Sequence, residues 1–250
     1  MDPLLDAPHR TPPPHSTDPP SLAAEAGQAL HGGDPNVPIG LCAAWSSHAA
    51  ELAVPLGAAL ERWEETPATD RLVAEGYLHR LLPGVFLPPD MLRSAVDRAL
   101  ALGCALGAHL QAQHVIAGPS AAWVVIGGAP PEQVELLSSA HRGDLAGVVL
   151  RHSRLLPQDI ETVGGAPVTS PVRTALDLLR FAPSWIAEPA LRHLVETGHA
   201  RLAEIRHRLH AMHRYPGVLG ARERLEQMLD PQLVDSGAPA PTGLPSAVTR

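Results

Sequence analysis

The run over residues 168–180, VTSPVRTALDLLR, constrains this chain most tightly. It reads as a strand end, a sharp turn and a helix start. Ser170 can cap the helix by accepting from the free N–H groups of its first turn. Pro171 then falls at the first helical position, where its missing N–H costs nothing and its φ is already helical. Val172, Ala175, Leu176 and Leu179 follow at helical spacing and predict a core-facing stripe. Arg173 and Asp177 are four apart, share a face and can pair.

The remainder must supply a core for that helix. An apolar content of 45% with only 3% aromatic residues predicts an aliphatic, mostly helical interior. All 19 basic residues are arginine. The absence of lysine excludes Schiff-base chemistry, a phosphate-binding P-loop and the lysine of the common nuclease core. Two cysteines, Cys42 and Cys104, make neither a disulfide framework nor a zinc site and fit a reduced cytoplasmic compartment. No stretch is long and apolar enough to predict a membrane span. The net charge of −7 is unevenly placed: residues 1–70 hold ten acidic residues against two arginines, and residues 71–250 hold sixteen against seventeen. The body is nearly neutral, without the basic footprint expected of a nucleic-acid-binding domain.

Proline clusters predict a disordered leader over 1–38, with a short helix possible at 21–30. Helices are then expected at 39–47, at 47–54 (stopped by Pro55) and at 56–64. A fourth at 67–75 is capped by Thr66 and ended by Gly76. Two apolar runs around Pro83-Gly84 predict a hairpin, with Tyr77 and Phe86 anchoring it. Short helices followed by a hairpin suit a winged helix-turn-helix, and equally a small helical subdomain with a β-hairpin. Beyond Pro88-Pro89 come a helix at 90–110, a turn or short strand at 115–119 and a helix at 120–126 with Trp123 in the core. Strands are expected at 134–138 and 147–152 around a polar turn at 140–144. A hairpin over Gly164-Gly165 leads into the opening helix. Helices at 184–197, 199–214 and 218–229 close the chain, and the tail from 230 to 250 reads as disordered. The fold class expected is α+β. A small winged-helix-like unit at 41–89 precedes a mixed α/β domain at 90–229, which has a short sheet and a C-terminal helical bundle.

Several of these segments together resemble the AbiEi-type antitoxin family of type IV toxin–antitoxin systems, common in actinobacteria. YLHRLLPGVFLPP resembles that family's wing, and IAGPSAAWVVIGG its small-residue helix. VVLRHSRLLPQDIETVGGAPVTSPVRTALDLLR resembles its most diagnostic run, and YPGVLGARERLEQML its closing segment. The resemblance covers roughly 41–229 and is strongest over 147–180. It implies a non-enzymatic transcriptional regulator whose winged helix binds operator DNA. The antitoxin domain would counteract a nucleotidyltransferase-like toxin without forming a stable complex with it. On that reading Arg71, His79 and Arg80 are the candidate DNA contacts. Arg151, His152, Arg154, Arg173 and Asp177 are the candidate partner or anion surface, and the last two read first as a structural clamp that fixes the hairpin–helix junction. A degenerate member acting only as a protein-interaction module is the alternative.

Three departures shape this expectation. Many relatives carry a further nuclease-like domain, for which 250 residues leave no room and the sequence no lysine. The expected recognition helix offers only Arg71, offset by Asp70 and Glu75. Gly118-Pro119 also stand where the family pattern has His-Arg. No cofactor or metal is expected. His207, His210 and His213 fall three apart, but only the first two share a helical face and no acidic or thiol ligand accompanies them.

Overall fold

In this computed structural model residues 42–139 and 145–229 are described, all within one unit spanning 35–250. The expectations for the leader, for residues 39–41, for the turn at 140–144 and for the tail lie outside the described residues.

The first helix, α1 (Ser47–Ala59), begins where the Ser46 hydroxyl accepts from the Ala49 N–H at 3.0 Å. Residues 42–45 form a turn and not the expected helix, with the Trp45 N–H on the Cys42 carbonyl at 3.0 Å. The expected break at Pro55 does not occur either: one helix runs through it. An interior proline costs about 3 kcal/mol. Ala49, Ala53 and Leu56 are buried on the same helix face, and that packing offsets the lost hydrogen bond. Where a third helix was expected, Glu61–Arg62 instead form strand β1.

Helix α2 (Pro67–Ala74) starts with a reciprocal cap in which the Thr66 hydroxyl accepts from the Thr69 N–H at 3.3 Å and the Thr69 hydroxyl from the Thr66 N–H at 2.8 Å. Strands β2 (His79–Leu82) and β3 (Val85–Leu87) flank the Pro83-Gly84 turn as expected, and the antiparallel sheet has the order β1-β3-β2. Phe86 is fully buried, 6.0 Å from the Trp63 ring. Tyr77 does not anchor the hairpin. The turn that closes α2 bonds its N–H to the Leu72 carbonyl and leaves its ring 66% exposed.

The helix expected over 90–110 is split by capping. A short 3-10 turn at Pro89–Met91 precedes α3 (Ala95–Leu106), which Ser94 and Asp97 start with a capping box. Then come β4 (Val115–Ile116), α4 (Gly118–Ile126), β5 (Val134–Ser138), β6 (Val148–His152), β7 (Ile160–Val163) and β8 (Ala166–Thr169). Their sheet has the order β6-β5-β4-β8-β7. Strands β5 and β6 run parallel despite their short connection, whereas β7 and β8 form the expected hairpin. Helices α5 (Pro171–Phe181), α6 (Ser184–Glu196), α7 (Leu202–Ala211) and α8 (Val218–Leu229) complete the α+β fold. Helix α7 is shorter than expected and ends before Met212, so His213 lies beyond it.

Two large cores organise these elements, beside a small cluster of Val115, Ala117 and Leu137. One runs from Cys42 to Val168 and joins the three-stranded unit, α3, α4 and the larger sheet; the other joins α5 to α8. The boundary expected at 89/90 thus falls inside a single core. Docking is close enough to demand glycine. A Cβ at Gly147 would lie 2.3 Å from Pro83 at the β2–β3 turn, and one at Gly165 would lie 2.5 Å from the Ser46 hydroxyl.

Candidate functional site: a buried ionic cluster on the signature helix

Helix α5 carries the expected cap. Ser170 accepts from the Arg173 N–H at 3.4 Å, and Pro171 takes the first position. This cap fixes where the helix begins and therefore which side chains turn inward. Ala175, Leu176, Leu178 and Leu179 are buried, and so are Arg173 and Asp177.

Arg173 uses its whole guanidinium. Its Nε donates to Asp177 Oδ2 at 2.9 Å, Nη1 to Asp159 Oδ2 at 3.2 Å and Nη2 to Ser153 Oγ at 2.9 Å. Asp177 also accepts from Arg180 Nη1 at 3.3 Å. Asp159 is also paired with Arg208 of α7. It is held in the turn before β7 by the Leu156 N–H on its carboxylate and the Ser170 N–H on its carbonyl. Burial pushes the Asp177 carboxyl up from its ordinary range, opposed by Arg173 and Arg180. Three arginines and two aspartates from the β6–β7 connection, α5 and α7 thus close on one another.

A second pair lies on the neighbouring strands. Arg151 of β6 sits 3.3 Å from Glu135 of β5, and its guanidinium lies 4.5 Å from the centre of the Phe181 ring. Arg180 stacks on the same ring at 4.4 Å. Glu135 is 6% exposed, and one carboxylate oxygen has no hydrogen-bond partner. Burial pushes its pKa up to about 7, against the pull of Arg151. The carboxylate fills the space a side chain at position 118 would need: a Cβ on Gly118 would meet it at 2.6 Å. That contact, with φ +52° at Gly118, explains why position 118 is glycine.

Glu135 gives the protein a definite pH response. Its folded pKa lies above its ordinary value of 4.5, so folding opposes ionisation. The cost is absent below the unfolded pKa, grows as pH rises and is complete above the folded pKa. Replacing Glu135 with glutamine is expected to change stability relative to the native chain by about 2–3 kcal/mol in the variant's favour between about pH 5 and about pH 8. Urea unfolding of both proteins at the two pH values measures it.

The other candidate residues are placed as follows. His152 and Arg154 are exposed and do not join Arg173, whose charge is spent inside the cluster. The four basic residues therefore do not form one anion-binding surface. Arg71 is exposed on α2. Arg80 is held by Glu65 at 3.1 Å and by Asp70. His79 is half-buried, and burial holds its imidazole below the usual range. His207, His210 and His213 belong to no group of three or more potential metal ligands among the described residues. The arginines of the last helices are mostly engaged: Arg222 donates to the Leu209 and Met212 carbonyls that end α7, Arg224 to the Ala182 carbonyl, and Arg206 to Glu226.

Sequence reasoning missed Asp159, Ser153, Arg180, Arg208 and Glu135 as members of this region. Arg180 was within reach, being three residues beyond Asp177 on the same helix. Arg208 was not, because 49 residues separate it from Asp159. No helix among the described residues is long and apolar enough to cross a membrane. No family model matches the chain, and no curated protein matches it significantly.

Proposed function

We propose that the chain is a non-enzymatic, antitoxin-like regulator that acts through protein contact. In this reading its winged-helix-like unit serves as a docking element and not as a reader of operator DNA. The observation that carries the reading is the engagement of Arg80. It is the most central basic residue of the wing, and two carboxylates from the α2 region hold it. The same unit exposes Glu61, Glu64, Glu65, Asp70 and Glu75, against Arg62 and Arg71. Affinity for DNA comes mainly from neutralising phosphates, and this face would repel them. The wing turn is also packed against Gly147. An acidic face of this kind favours a basic protein surface as its partner.

The antitoxin part of the reading rests on the resemblance over residues 147–180, whose Asp159, Arg173, Asp177 and Arg180 hold one another in the buried cluster. The engagement of these four groups with one another supports a non-catalytic role for the cluster. The functional partner would be a nucleotidyltransferase-like toxin, counteracted without a stable complex. A cytoplasmic location follows from this reading, and two free buried cysteines accord with it.

Operator binding is the second reading, favoured by the β1-β3-β2 order with a helix and a hairpin wing. Fluorescence anisotropy separates the two, using a labelled duplex from upstream of the chain's own gene and a scrambled duplex. The native protein is expected to bind both equally weakly at about 50 mM salt and neither at about 150 mM. The double variant Glu65→Gln/Asp70→Asn releases Arg80 and should gain affinity, with a salt slope steeper by about 1. Preference of the native protein for its own duplex at the higher salt would establish operator binding instead.

A further inference from the structure

Cys42 and Cys104 are 62 residues apart in sequence, yet their sulfurs lie 3.9 Å apart inside the first core. Both side chains are buried, at 1% and 0% exposure. Their surroundings direct them at each other. Cys42 lies within reach of the Leu100 carbonyl at 3.4 Å, and Cys104 within reach of the Ala53 carbonyl at 3.8 Å. Gly103 leaves the space: a Cβ there would lie 2.5 Å from the Cys42 sulfur and 2.6 Å from the Trp45 ring. Cys42 also adopts φ +60°, the left-handed region that a non-glycine residue occupies only when held there. The strained residue sits at the head of the turn that leads into α1, beside exposed Ala43 and Ala44.

We propose that Cys42 and Cys104 form a modification site, a buried dithiol that a hydroperoxide converts into an intrachain disulfide tying the turn before α1 to helix α3. The sulfurs must approach by about 2 Å to bond. Rotation of the Cys42 side chain and a small shift of the head of its turn close that gap, while the far end stays held by the Trp45 and Ser46 N–H groups on the Cys42 carbonyl and by the Trp45 indole on the His114 carbonyl at 2.9 Å. Opening of the same turn admits the peroxide.

The chemistry balances with hydrogen peroxide as the oxidant. The Cys104 sulfur, as thiolate, attacks one peroxide oxygen. An S–O bond forms, the O–O bond breaks, and the departing hydroxide takes up the thiol proton to leave as water. Cys104 is now a sulfenic acid. The Cys42 sulfur then attacks the Cys104 sulfur: the S–S bond forms, the S–O bond breaks, and hydroxide leaves with the Cys42 proton as a second water. Two thiols lose two electrons in all, and one peroxide is reduced to two waters. The hydrogen bond between the thiols holds Cys104 below the ordinary thiol range and Cys42 above it. This polarity makes Cys104 the first to react and Cys42 the resolving partner. The bond would turn a strained, locally opening turn into a fixed strap, so peroxide would stiffen the junction between the winged-helix-like unit and the rest of the fold.

The test uses the full chain, treated with hydrogen peroxide, quenched and alkylated under denaturing conditions, then digested with trypsin. Lysine is absent, so trypsin cuts only after arginine and places Cys42 in peptide 11–62 and Cys104 in peptide 99–142. The expected product is those two peptides joined, from monomeric protein. A peptide map is preferred to intact mass because methionine also takes up oxygen. Oxidation should raise Tm by about 5 °C or more, reversibly with dithiothreitol, in the native chain. Cys42→Ala should show no such rise and no joined peptides, with Cys104 trapped as a sulfenic acid by dimedone. Recovery of both cysteines as free alkylated peptides after peroxide treatment of the native chain would overturn the proposal, whatever the variant does. So would a sulfinic acid as the main product, or a link between two chains.

Discussion

Replacing Asp177 with asparagine is expected to lower the unfolding free energy by about 3–5 kcal/mol, the cost of breaking a buried ion pair from one side. Asp177 is 1% exposed and accepts from both Arg173 and Arg180. An asparagine keeps the shape but leaves two guanidiniums beside a neutral amide, away from water that could replace the lost charge. The effect extends beyond α5, because Arg173 also holds Asp159 and Ser153, and Asp159 holds Arg208. Arg206→Gln serves as the internal control. Its pair with Glu226 is about half exposed and should contribute only about 0–1 kcal/mol. Urea unfolding of the three proteins at one pH checks the contrast.

Replacing Phe86 with alanine is the second large effect, at about 3–5 kcal/mol. Phe86 is fully buried, lies against Trp63 and has the Arg80 guanidinium 5.8 Å from its ring centre. Its strand neighbours Val85 and Leu87 belong to the core that continues through α3 and α4 to β8. The loss should therefore appear in one cooperative transition of that core and not as separate melting of the three-stranded unit. Tryptophan fluorescence and far-ultraviolet circular dichroism should lose signal at the same urea concentration, and non-coincident curves would show that the unit melts alone.

These two residues also show how far the sequence could be read. Phe86 followed from local chemistry: apolar runs on either side of Pro83-Gly84 make a hairpin, and its largest side chain goes inside. The Ser170-Pro171 cap was legible for the same reason, since the groups that set it are adjacent in the chain. So was the Arg173–Asp177 pair, which one helical turn brings together. What escaped depends on tertiary packing. Pro55 reads as a helix stop, but the buried face of Ala49, Ala53 and Leu56 overrides it. Arg80 reads as a free wing cation until the fold brings Glu65 and Asp70 to it. Asp159 reads as a turn residue, because neither Arg173 nor Arg208 is near it in sequence. The parallel pairing of β5 with β6 could not be read from two strands joined by a short polar stretch. Glu135 gave no signal at all, since its environment is made by Gly118 and Arg151 on other elements.

The resemblance behind the functional reading is strongest over the run that builds the ionic cluster. What that cluster does is accordingly the point on which the account turns. If it is an architectural clamp joining the β6–β7 connection to the helical bundle, its members are engaged with one another and are not held ready for a ligand. The arrangement favours this reading: all three nitrogens of the Arg173 guanidinium are engaged, by Asp177, Asp159 and Ser153.

A double-mutant cycle on Arg173→Met and Asp177→Leu tests this most directly. Apolar replacements of similar length remove both charges without leaving either one alone. Each single variant should be strongly destabilised, and the double variant should recover much of the loss, giving a coupling energy of about 2–3 kcal/mol in urea unfolding. Single variants as stable as the native chain, with losses that simply add, would contradict the clamp and return Arg173 and Asp177 to the role of a site.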